Sequence, residues 1–320
     1  MVLFLGRVLG GISTTLMYSV FESWMVTEYY VQNLDKSTLS LSSMFGLMTT
    51  LNSGTAILSG VIGESIVSYT ETKTSPFMAS IVCLALAAWA MQTYWVCLDW
   101  TPFKLSPTLL MDLQSENHGD SASQSSTTEK SGFAIILADR RILVLGLIST
   151  AFEGTMYLFV FFWSAAMKSV HARALIAASD FVTSASILPF GLIFATFMAS
   201  MMLGSLGFSA ASSYASKSTV QFVSGVKSIF SSASMLVFAI GTASSALLLT
   251  VLIKDEKITF WLFCLFEACI GIYFPSMAYQ KGRIVDDGVR AKVYGILRIP
   301  LNCFVVAALS LTKEGEFSSC

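Results

Sequence analysis

Residues 142–167, ILVLGLISTAFEGTMYLFVFFWSAAM, carry one charged side chain, Glu153. A helix needs about 20 predominantly apolar residues to cross the ~30 Å hydrocarbon layer of a bilayer, and this run supplies them. Comparable runs lie at about Val2–Tyr30, Met44–Ser68, Phe77–Cys97, Leu188–Phe208, Ser228–Ile253, Ile258–Tyr279 and Val293–Leu311. Charged residues make up 12% of the chain, about half the share in an ordinary soluble domain. A 320-residue chain has room for about eight such spans and their connections. These features define an all-α polytopic membrane protein whose first partner is the lipid bilayer. The net charge of −1 leaves no basic surface, so no nucleic-acid partner is expected.

Three of the spans repeat one dipeptide: Phe21-Glu22, Phe152-Glu153 and Phe266-Glu267. A carboxylate at bilayer depth costs at least ~2.5 kcal/mol on insertion scales, so it faces the inside of a bundle and marks a functional site by default. Burial favours the neutral form of a carboxyl group, which can then donate a hydrogen bond to an oxyanion or carry a coupled proton. Arg298 in the last span is the candidate positive counterpart, because a guanidinium matches pairs of oxyanion oxygens. Interhelical ion pairing is the competing reading for all four residues. Arg7 stands 15 positions before Glu22, about 22 Å along a helix, too far for a direct pair. Asn302, Tyr157 and Tyr273 are further polar candidates, with packing as the alternative. Pro275 and Pro300 are expected to bend their helices.

Other chemistry is sparse. Cys83, Cys264, Cys269 and Cys303 lie inside apolar runs, in spacings that match neither a zinc pattern nor a disulfide framework, and are expected to be small buried hydrophobes. His118 and His171, the two histidines, fall in polar connections, so neither a metal site nor a cofactor is expected. No nucleophile, base and orienting group fall together, and no phosphate-binding glycine loop follows a strand, so an enzyme is not expected.

The longest polar stretch, residues 99–140, separates an N-terminal group of spans (1–98) from a C-terminal group (141–320). Lys and Arg concentrate in the connections after the first, third, fifth and seventh spans, among them Lys104, Arg140, Arg141, Lys281 and Arg283. The positive-inside rule makes that set cytoplasmic. No signal peptide precedes the first span, which opens at the N-terminus as though in mid-helix, so truncation is expected.

Several stretches resemble the major facilitator superfamily, and within it the molybdate-anion transporter family, the group of major facilitator superfamily domain-containing protein five. They are LGRVLGGISTTLMYSVFESWMVTEY (5–29), ENHGD (116–120), ADRRILVLGLISTAFEGTMYLFVFFW (138–163), FGLIFATFMASMMLGS (190–205), FEACIGIYFPSM (266–277) and GILRIPLN (295–302). Arg7, Gly10 and Gly11 resemble the arginine-glycine motif that opens the fourth helix in this superfamily. The resemblance implies twelve helices in two halves, of which about eight are present here, helices four to eleven. It also implies uptake of molybdate, or another small anion, across the plasma membrane by alternating access. Glu22, Glu153 and Glu267 then line the central cavity, with Arg298 and Asn302 as further substrate contacts. Another small solute, or a truncated non-transporting form, is the alternative. Against the family pattern, residues 96–115 and 169–186 look like insertions. The loop GFSAASSYASKS at 207–218, with Lys217 as its only charge, departs from the family's basic loop.

Overall fold

The computed structural model describes residues 2–32, 40–72, 74–95, 136–177, 188–217, 232–285 and 289–311. Among these residues are eight α-helices and no strand: α1 Val2–Val31, α2 Leu41–Thr70, α3 Ser75–Ala90, α4 Arg140–Ala177, α5 Phe190–Lys217, α6 Ser232–Leu252, α7 Glu256–Ile284 and α8 Arg290–Leu311. Seven of them, α2 to α8, are long and apolar enough to cross a membrane. At 1.5 Å per residue the 30 residues of α1 reach about 45 Å, which also exceeds the hydrocarbon thickness.

Each expected span corresponds to a helix, but several helices run past the apolar window that announced them. α4 continues through Lys168–Ala177, a more polar stretch whose Ala, Leu, Lys and Arg are strong helix formers. The part of the suspected insertion from 169 to 177 is therefore helical, while the remainder, all of 96–115 and residues 99–135 of the linker lie outside the described residues. α7 likewise runs five residues beyond Tyr279. Local chemistry fixes the ends: Pro76 sits in the first turn of α3, and Asp255 caps α7 by accepting a 3.0 Å hydrogen bond from the Ile258 amide. Arg290, 2% exposed, donates to the carbonyls of Gly282 and Val285 at 3.2 and 3.1 Å, satisfying acceptors at the end of α7. Pro275 and Pro300 both lie inside helices, α7 and α8.

The chain forms two compact units, residues 62–129 and the remainder. The described part of the smaller unit holds the end of α2, then α3 and a π-helical turn at Met91–Trp95; α3 has no buried residue. The larger unit is built around α7, which packs against α5, α6 and α4, while α4 also packs on α8. Its main core is aromatic: Phe159, Phe197, Phe263 and Phe266 stack edge to face or tilted at centroid distances of 4.8–6.2 Å. α5 meets α7 where side chains vanish. A Cβ on Gly204 or Gly271 would stand 2.0 Å from the backbone oxygen of Ala268 or Met201, so only glycine permits this approach.

α2 lies antiparallel to α5 along a stripe of small and hydroxyl residues. Ser42 meets Ser212 at 2.6 Å, Thr50 meets Ser205 at 2.7 Å, and Gly60 faces Phe194. Near the ends of α1 and α7, Val26, Tyr29, Leu41, Phe45 and Ala278 close a small apolar cluster. Much of the remaining apolar surface points outward, as a lipid-facing bundle requires, and this corrects one expectation: Cys83 and Cys303 are exposed, whereas Cys264 and Cys269 are buried. In a membrane protein an apolar run has two apolar surroundings to choose from, lipid and core.

Candidate functional site

Glu153 stands where α4, α7 and α8 converge, 4% exposed. Its Oε1 accepts a hydrogen bond from Ser149 Oγ, one turn earlier, at 2.6 Å and from the Tyr273 hydroxyl at 3.3 Å. Two cations flank the same carboxylate, one at each oxygen. Lys281 Nζ lies 3.7 Å from Oε1 and Arg298 Nη2 lies 3.7 Å from Oε2, both side chains 13% exposed.

The surrounding sequence explains the arrangement. Gly146 and Gly154 let α8 come close to α4, since a Cβ at either would stand 2.5 Å from Leu297 Cδ2 or 2.4 Å from Phe304 Cδ1. That approach brings Arg298 beside Glu153. On α7, Tyr273 is 0% exposed and stacks on Phe152 with centroids 4.1 Å apart, which fixes its hydroxyl towards Glu153. Lys281 follows Tyr273 by two turns, about 12 Å, and its long stem spans the gap back to the carboxylate. Successive helical residues point about 100° apart. The Phe-Glu pair thus places the phenyl ring in the aromatic core, as at Phe152 and Phe266, while the carboxyl turns elsewhere.

Glu22 on α1 joins this group. It lies in electrostatic range of Lys281, Glu153, Arg298 and Arg290, and its Oε1 is buried with no hydrogen-bond partner among the described residues. Three of the candidates, Glu22, Glu153 and Arg298, are therefore brought together. Glu267 is not. It is buried, 4% exposed, beside Cys264, and no described residue forms an ion pair or hydrogen bond with its side chain. Asn302 is exposed, one position past buried Leu301. Gly10 and Gly11 are exposed, with no atom within 4 Å of an added Cβ; the Arg7 side chain lies outside the description. Tyr157 is half-buried. His171 pairs with Glu256 at 2.9 Å, away from the carboxylate cluster, and His118 is outside the described residues. Among the described residues no group of three metal-ligating side chains forms.

Sequence reasoning missed Ser149 and Lys281. The rule that ends a span at its last apolar residue put Lys281 in a basic loop. Gly282 resembles a helix stop, yet α7 runs on through it to Ile284, and a Cβ there would make ordinary contacts, at 3.5–3.6 Å, with Leu41 and Val26.

A helical bundle of membrane-crossing length, with a buried carboxylate held between two cations where its helices meet, defines an integral membrane protein with an internal ionic site. Comparison with known proteins supplies the family. The family model MFS_5, described as sugar transporters with twelve transmembrane segments, matches residues 1–267, and the chain belongs to this family of the major facilitator superfamily. Curated relatives are the molybdate-anion transporters of Takifugu rubripes, 28% identical over 322 aligned positions, Danio rerio, 28% over 325, and Xenopus tropicalis, 26% over 320. Each alignment covers 99% of this chain and 61–62% of the relative, so the chain spans about three fifths of their length. No solved structure matches it.

Proposed function

We propose that this chain belongs to a plasma-membrane carrier that takes up molybdate by alternating access, with the site around Glu153 as its substrate site. The observation that carries this reading is the pair of cations, Lys281 and Arg298, that share one buried carboxylate. A tetrahedral dianion needs concentrated positive charge and directional donors, and a guanidinium beside an ammonium offers both. Glu22 and Glu153 balance that charge when no anion is bound. The relatives' printed name, molybdate-anion transporter, supports the same substrate class.

The architecture is compatible with alternating access. Carriers of this kind bind substrate near the bilayer midplane between two helical groups that rock against each other. On the charge-counted topology, the apolar cluster of Val26, Tyr29, Leu41, Phe45 and Ala278 closes the cytoplasmic end between α1–α2 and α7. Dry packing of that kind is reversible and holds no buried charge to break. The family description names sugars, and a sugar is the second reading, but an uncharged ligand would leave two cations and two carboxylates paired among themselves. Uptake separates the readings: cells expressing the complete gene accumulate molybdenum above vector controls, measured by elemental mass spectrometry. Protein at the surface with no rise in molybdenum rejects the molybdate assignment.

A further inference from the structure

We infer that Lys281 is a direct anion ligand and a determinant of specificity for charge, rather than a cytoplasmic loop cation. This rests on the carrier reading above and deepens it by assigning Lys281 direct contact with the substrate and a part in selecting its charge. Lys281 is on the last turns of α7, its side chain 13% exposed, with its ammonium 5.9 Å from the ring centroid of Tyr294. No described residue accepts a hydrogen bond from that ammonium: Glu153 Oε1, its ion-pair partner, stands at 3.7 Å, beyond the distance of a good N–H···O bond. A lysine ammonium carries three donors, and since no described residue takes them they are available to a ligand that enters beside Glu153.

The neighbouring cations divide the work. Arg290 is in electrostatic range of Glu22 but holds the carbonyls of Gly282 and Val285, so it closes α7 and is not assigned to the ligand. Arg298 reaches the opposite oxygen of Glu153 from α8. Lys281 and Arg298 therefore approach one carboxylate from two different helices, and the Glu153 carboxylate occupies the position between two cations that an oxyanion would occupy. An arriving dianion takes over these contacts, with Ser149 and Tyr273 as donors on the same side. No covalent bond changes. α7 and α8 are thus drawn to the substrate by separate charges, so a monoanion or a neutral solute engages the site less completely.

The test uses the complete protein expressed in cells, with molybdate uptake measured as a function of concentration. Lys281→Gln raises KM by roughly ten- to a hundredfold, the usual worth of a hydrogen bond to a charged group, while Lys281→Arg keeps most of the affinity. Lys254→Gln, an exposed cation before α7, leaves KM unchanged. Glu153→Gln combined with Lys281→Gln removes both partners of the ion pair and so preserves charge balance where the single variant fails to accumulate. Weak molybdate affinity in that folded double variant supports a ligand role. A wild-type KM in either Lys281→Gln or the double variant overturns the inference. Absence of uptake by the wild-type protein instead rejects the carrier reading on which it rests.

Discussion

At the scale of single residues, the structure ranks the groups that hold Glu153. Ser149 donates at 2.6 Å inside the bundle, whereas Tyr273 donates at 3.3 Å and also stacks on Phe152. A hydrogen bond to a charged group contributes about 1.5–3 kcal/mol. Ser149→Ala is therefore expected to lower stability in detergent by about 1.5 kcal/mol or more, and Tyr273→Phe, which keeps the ring, by less. Thermal unfolding of the purified variants checks the order, and a larger loss for Tyr273→Phe contradicts it. The same scale shows what could be read from the chain alone. The cost of a carboxylate in an apolar run singled out Glu22 and Glu153, which the structure brings into one cluster. It could not tell them from Glu267, because burial is common to all three and only the third dimension shows that Glu267 stands apart from Lys281 and Arg298.

At the scale of helices, close approach depends on where side chains are absent. Gly204 and Gly271 have no room for a methyl group, while Gly207 and Gly241 have no atom within 4 Å of one. Gly271→Ala is expected to destabilise by roughly 1–3 kcal/mol through overpacking, and Gly207→Ala or Gly241→Ala to be neutral or slightly stabilising, since alanine is the better helix former. Fluorescence-detected thermal unfolding measures the contrast; equal effects at all three positions contradict the proposed α5–α7 packing. The positions of the helices were legible because a bilayer demands long apolar runs. Their ends were less so. The apolar criterion stopped at Tyr279 and at Met167, but helix-forming polar residues carry α7 to Ile284 and α4 to Ala177, and the first of these extensions contains Lys281. Orientation around each axis was hidden too. The hydrophobic residues of α3 and of the α8 face bearing Asn302 and Cys303 point outward, because lipid accepts them as readily as a core does.

At the scale of the whole molecule, the membrane-embedded charge cluster and a seam of small groups lie in the same helical unit. α2 and α5 touch through Ser42–Ser212 and Thr50–Ser205, contacts between small groups that slide more easily than interlocked large ones. The membrane class, the helical fold and the family were within reach of the sequence, since composition and run length follow from the solvent a chain must face. The cation pair was not, since Lys281 and Arg298 reach Glu153 from two successive helices, and no linear pattern records that convergence. A dianion is proposed to bind between those cations. The most direct measurement of that binding is the shift in melting temperature of the complete purified protein on adding molybdate or glucose, for wild type and Arg298→Gln. Ligand binding to the folded state raises stability by mass action. A rise with molybdate is expected that saturates in the wild type, is lost in Arg298→Gln and does not occur with glucose. A rise with glucose but not molybdate, or a molybdate rise that survives Arg298→Gln unchanged, would contradict it.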